Sequence, residues 1–178
     1  CGRMDIAQVF FDRISDKDLV SWSSMIEAYA QADLPLEAVE LFKELREQGV
    51  LPDLVALLSV VRACSSLASF QQARWIHGLV IRSFFSNYIA IETSIVDLYV
   101  KCGSLMYARR VFDEMQERNI ISWSTMISGY GMHGHGREAV DLFHQMKALI
   151  IPDHIAFLSV LSACSHGGLI AEGWDCFN

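Results

Sequence analysis

Six histidines and five cysteines are the first residues of this 178-residue chain to weigh as metal ligands or nucleophiles. Their spacing decides which chemistry is open. No two cysteines form C-x-x-C, their number is odd and the chain can build its own core, so a zinc site or disulfide framework is not indicated and the thiols read as reduced. Cys64 in "RACSS" and Cys164 in "SACSH" stand in equivalent surroundings, as do Cys1 and Cys102 before glycine; small buried side chains explain that recurrence. His133 and His135 in "MHGHG" are two ligands where a closed metal site needs about four. G-x-S-x-G, P-loop and H-E-x-x-H are absent, so the residues indicate neither an enzyme nor a cofactor. What remains is hydrogen-bonding chemistry: the hydroxyls of Ser23, Thr93 and Ser124, and the carboxylates or amide of Asp53, Asn119 and Asp153. A hydroxyl donates or accepts, a carboxylate accepts only, and an amide does both. The same residue types suit helix starts, and Asp53 and Asp153, each after a proline, read equally as turn residues or N-caps.

The elements that carry these residues emerge when the chain is slid against itself. At an offset of 101 residues, "DLVSWSSMIEAYAQADLPLEAVELF" from Asp18 lies over "NIISWSTMISGYGMHGHGREAVDLF" from Asn119, pairing Trp22 with Trp123 and Phe42 with Phe143. "LLSVVRACSS" from Leu57 repeats as "FLSVLSACSH" from Phe157 at an offset of 100. The punctuation divides the period into units at 19–53, 54–88, 89–119 and 120–153, flanked by partial units at 1–18 and 154–178. A chain that starts and stops inside a unit is expected to be a segment of a longer array.

Within each unit the periodicity is helical. Ala38, Leu41, Phe42 and Leu45 fall at i, i+3, i+4 and i+7, with Glu40, Lys43, Glu44 and Glu47 opposite. Trp22, Met25, Ile26 and Tyr29 share that spacing, which favours core packing over base stacking for the tryptophans. Gly103, Gly134 and the Asp33-Leu34-Pro35 stretch break the chain between helices, and Pro52 and Pro152 stop the second helix. One helix pair cannot bury its apolar face alone. Stacked pairs can, so the expected fold is all-α, a right-handed α-solenoid of helix-turn-helix repeats.

The composition is compatible with this: 52% of residues are apolar and the net charge is -7, which argues against a generic polyanion binder. No apolar run approaches the roughly 20 residues of a membrane span, so no membrane partner is expected. In the first thirteen residues of each unit, Glu27, Glu92 and Asp97 stand against Arg62 and Lys101, a net of -1. A groove lined by these helices would be near neutral, and its binding only shallowly salt-dependent.

Units of 35, 35 and 31 residues carrying "VSWSSMIEAYAQ…EAVELFKEL…GVLPD", "SVVRACSSL…IHGLVIRS" and "TSIVDLYVKCGSLMYARRVFDEMQERN" resemble the P, L and S motifs of plant pentatricopeptide repeat proteins of the PLS class. The resemblance assigns 1–18 to a partial S motif, 19–53 to P, 54–88 to L, 89–119 to S, 120–153 to P and 154–178 to a partial motif. It implies binding of single-stranded RNA, not DNA, at one nucleotide per repeat, with the fifth and last residues of each motif choosing the base. Carried over, Ser23 with Asp53 and Ser124 with Asp153 imply guanine, and Thr93 with Asn119 implies adenine; Asp18 holds the last position of the first partial motif. Val20, Val55, Ala90 and Ile121 occupy the second, base-sandwiching position. The L motif has Leu58 and Tyr88 instead, neither suited to a base edge, giving a preference of the form 5'-G-x-A-G-3'. Lys101 reads equally as a solvated lysine or a phosphate contact.

The resemblance further implies the specificity part of a C-to-U RNA editing factor in a mitochondrion, the slightly preferred organelle, or a chloroplast. Editing accessory proteins would be met through L motifs. The deaminase signature H-x-E with P-C-x-x-C is absent from these residues. The alternative is a protein-binding α-solenoid scaffold in an organellar assembly.

Overall fold

The computed structural model describes residues 2–176, and all regular structure among them is helical. The chain divides into two compact units, one ending at Ser86 and the other beginning at Asn87. The first holds α1 (Gly2–Asp12), α2 (Leu19–Gln31), α3 (Pro35–Glu47), α4 (Leu54–Leu67) and α5 (Phe70–Ile81). The second holds α6 (Ile89–Lys101), α7 (Leu105–Glu114), α8 (Ile120–Met132), α9 (Gly136–Lys147), α10 (His154–Gly167) and α11 (Ile170–Asp175). No helix among the described residues is long and apolar enough to cross a membrane.

The helices start where the sequence supplies a cap. Asp18, Asp53 and Asp153 are extended N-caps of α2, α4 and α10, each accepting from the backbone N–H three residues on, which satisfies one of the donors a helix start leaves open. Asn119 does the same for α8 and completes a capping box with Ser122. Pro35 opens α3, where its missing N–H costs nothing. Between the paired helices the backbone turns through positive φ at Asp33, Gly103 and Gly134, a conformation glycine adopts freely and aspartate tolerates. Ala68 does so as well, at φ 48°, where the sequence carries no glycine to announce it.

In the first unit α2 packs on both α3 and α4, and α3 also packs on α4. In the second, α6, α8 and α10 lie side by side, with α7 and α9 behind them. Within each unit this is the helical-hairpin arrangement of a solenoid: its first helices form one row and its second helices another. The apolar stripes meet between the rows, burying Ala38, Leu41, Phe42 and Leu45 from α3, and Ala139, Leu142, Phe143 and Met146 from α9. Each large side chain withdrawn completely from water contributes about 2 kcal/mol. Trp22 and Trp123 are buried in the core, each edge-on to a phenylalanine of the preceding second helix: Phe11–Trp22 at 5.1 Å and Phe112–Trp123 at 5.0 Å, both at 79°. The repeat of the sequence is thus a repeat of packing geometry.

Candidate nucleic-acid interface

Asp53, Asn119 and Asp153, the last residues of their repeats, cap the next first helix with their side chains, and Asp53 is also in contact with the fifth residue of its own repeat. Asp53 Oδ1 accepts from Ala56 N at 2.8 Å and from Ser23 Oγ at 2.9 Å. The two positions of the repeat 19–53 are therefore joined directly, across 30 residues of sequence, and Asp53 serves as cap and hydroxyl acceptor at once. Asp153 Oδ1 accepts from Ala156 N at 2.9 Å. The partner of that pair, Ser124, is only 6% exposed, and its Oγ is buried with no hydrogen-bond partner. Thr93 Oγ1 is likewise buried and unpartnered. Asn119 Oδ1 accepts from Ser122 N at 2.9 Å.

Around Ser124 the second unit forms a cavity of about 280 Å³. Ser124, Asp153, Ile121, Ile155, Asp97 and Ser128 are among the residues that line it. Ile121 is 65% exposed and Ile155 52%, so two apolar side chains from successive first helices flank a buried hydroxyl and a half-buried carboxylate. A flat heteroaromatic ring fits such a slot: the apolar pair covers its faces, and the hydroxyl and carboxylate meet its edge. Val20 at 68% and Val55 at 43% exposure occupy the same second position of α2 and α4, and Ala90 in α6 is exposed too. An exposed valine or isoleucine at the start of every one of these helices except α6 has no role in the core. Ile155 was not singled out in the sequence, although its place as the second residue of the unit from His154 was the signal that could have found it. In the repeat 54–88, Leu58 lines a smaller cavity of about 220 Å³ with Val55 and Arg62, and Tyr88 is exposed.

The remaining sequence candidates have structural employment. Lys101 Nζ pairs with Asp97 at 2.9 Å. His133 Nε2 stands 2.8 Å from the Val100 carbonyl near the end of α6, and His135 Nδ1 lies 3.3 Å from Glu138, so the two rings are engaged separately. Cys64 and Cys164 are buried, whereas Cys1 lies outside the described residues. Burial pushes the thiols of Cys102, Cys164 and Cys176 above their ordinary range, the opposite of what a nucleophilic cysteine needs. Burial also raises the Glu92 carboxyl, partly countered by Arg118.

The PPR repeat family model matches residues 20–50, 93–120 and 121–149. Among curated relatives, a chloroplastic pentatricopeptide repeat-containing protein of Arabidopsis thaliana is 43% identical over 178 residues, covering 99% of this chain and 22% of the relative. A mitochondrial one from the same plant is 39% identical, covering 99% of this chain and 32% of the relative. The chain thus spans about a fifth to a third of the length of these relatives. Among solved structures, the pentatricopeptide repeat protein PPR10 in complex with an 18-nt psaJ RNA element superposes with a TM-score of 0.75 at 20% identity, covering 95% of this chain and 26% of that one. The PPR domain of Arabidopsis thaliana protein-only RNase P 1, in complex with tRNA, gives 0.68 at 17% identity, covering 86% and 84%.

Proposed function

Because the chain belongs to the pentatricopeptide repeat proteins, we propose that it binds single-stranded RNA along its row of first helices, one nucleotide per repeat. Ser23 with Asp53 and Ser124 with Asp153 select guanine, and Thr93 with Asn119 selects adenine. The observation that carries the reading is the orphaned Ser124 hydroxyl, buried on a cavity it shares with Asp153 between two exposed isoleucines. A buried polar group without a partner costs about 1–3 kcal/mol, and a base edge supplies the missing partner. The RNA-bound PPR10 and tRNA-bound RNase P 1 domains, which share the fold, add support.

The length pattern of the units further suggests the PLS class, and with it a place as the specificity part of a C-to-U RNA editing factor, the deamination being done elsewhere. The chloroplastic and mitochondrial names of the relatives point to an organelle. The base assignments are tested by exchanging Asn119 for Asp in the intact protein. An amide donates and accepts whereas a carboxylate only accepts, so preference at that one nucleotide should move from A toward G by about 1–3 kcal/mol, the value of a good base-edge contact. Competition binding with 5'-G-x-A-G-3' and 5'-G-x-G-G-3' RNAs measures it. Unchanged ranking of the two would remove Asn119 from base selection, and equal binding of scrambled RNA would end the RNA reading.

A further inference from the structure

We propose that Arg62 contacts a backbone phosphate of the bound RNA, so that the repeat 54–88 holds the strand by its charge where the repeats around it hold a base; the inference rests on the RNA-binding reading above. Val55, Leu58 and Arg62 follow one another at i, i+3 and i+7 on α4 and line one cavity of about 220 Å³ with Glu27, Ala30 and Gln31 of α2. Arg62 therefore lies one helical turn beyond the fifth-position residue, on the face that in the repeats 19–53 and 120–153 carries Ser23 and Ser124. Leu58 has no polar atom to offer a base edge, and a nucleotide passing this repeat needs another hold.

Arg62 is exposed and enters no ion pair among the described residues. The other first-helix cation, Lys101, is paired with Asp97 at 2.9 Å, so among the described first-helix residues Arg62 is the cation without an ion-pair partner. A guanidinium fork matches the geometry of a phosphate. Glu27, on the same cavity, opposes an anion; its carboxylate accepts from Gln31 Nε2 at 2.9 Å within its own helix and does not neutralise Arg62.

The test measures binding of the intact protein to 5'-G-x-A-G-3' RNAs, with each of the four bases at x, between about 50 and 200 mM salt. Arg62→Gln should lower affinity by the same factor whatever base stands at x. It should also reduce the slope of log affinity against log salt by about 0.7, the share of one single-strand phosphate, which makes the salt-induced loss across that range about threefold smaller. Arg62→Lys keeps the charge and should keep the slope. An unchanged slope in Arg62→Gln overturns the proposal, and so does a loss that depends on x, which would make Arg62 a base reader. If the wild-type protein fails to prefer 5'-G-x-A-G-3' over scrambled RNA, the failure lies with the RNA-binding reading itself.

Discussion

The repeats 19–53 and 120–153 carry the same residues at their fifth and last positions, yet their hydrogen bonding differs. In the first, Ser23 donates to Asp53 at 2.9 Å and the pair satisfies itself. In the second, Ser124 is as deeply buried but unpartnered, and the cavity beside it is open to a ligand. A repeat motif specifies which atoms are present; the separation and rotation of neighbouring helices specify whether they meet. The two first helices differ in that respect. Gly131 of α8 approaches α10 so closely that a methyl group there would sit 2.7 Å from Ala163 Cβ and 3.0 Å from its Cα. Its counterpart in α2 is Ala30, which already carries the methyl group that Gly131 lacks.

The largest effect should come from removing that difference. In Gly131→Ala the obstruction includes backbone, which cannot rotate away, so the overpacking cost of about 1–3 kcal/mol exceeds the roughly 0.5–1 kcal/mol that alanine gains over glycine in a helix. The variant should unfold at lower urea than the wild type. Ala30→Gly should cost only the helix-propensity difference, about 1 kcal/mol. If Gly131→Ala is as stable as the wild type, the close approach of α8 and α10 is not what distinguishes the two sites.

A second pair of substitutions asks whether one site is closed and the other open. Ser23→Ala removes the donor to Asp53, which keeps its bond to Ala56, and should destabilise the free protein by about 1 kcal/mol. Ser124→Ala removes a buried hydroxyl that has no partner and should stabilise the free protein by about 1 kcal/mol, while weakening discrimination at its nucleotide. Opposite signs in urea unfolding sharpen the comparison. Equal shifts would mean that Ser124 finds a partner in solution and that the two sites are alike.

How much of this was legible beforehand follows from the range of each signal. Helix phase is local: the i, i+3, i+4 spacing of Ala38, Leu41 and Phe42 already gave the buried face of α3, and the 101-residue offset gave the matched Phe–Trp contacts their equivalent positions. Caps are local too, since Asp53 and Asp153 follow prolines and precede apolar runs. The Ser23–Asp53 bond is not local. It depends on how far apart α2 and α4 lie, and no residue pattern in "VSWSSM" records that. The burial of Ser124 depends in the same way on α10. Ala68 takes a left-handed conformation with no glycine of its own to signal it, although Gly168 makes the same turn 100 residues on.

The smallest expected effect compares Asp18 with Asn119, which hold matching positions 101 residues apart and cap α2 and α8 with different chemistry. Asp18 Oδ1 accepts from Ser21 Oγ at 2.6 Å and from Ser21 N at 2.8 Å. These bonds, the hydroxyl's first, hold its carboxyl below the ordinary value of 3.8. A carboxylate with a depressed folded-state pKa contributes stability that is fully present above the unfolded value and lost as pH falls through the folded one. The Asp18 contribution should therefore persist at neutral pH and fade below about pH 4, whereas the amide cap at Asn119 does not titrate. Asp18→Asn should lower stability slightly at pH 7 and leave it closer to the wild type at pH 3, because both proteins then cap α2 with a neutral side chain. Urea unfolding at the two pH values measures the gap. A gap of the same size at both would mean that the Ser21 bonds do not distinguish charged from neutral Asp18, and that a carboxylate and an amide are interchangeable at this position of the repeat as far as folding is concerned.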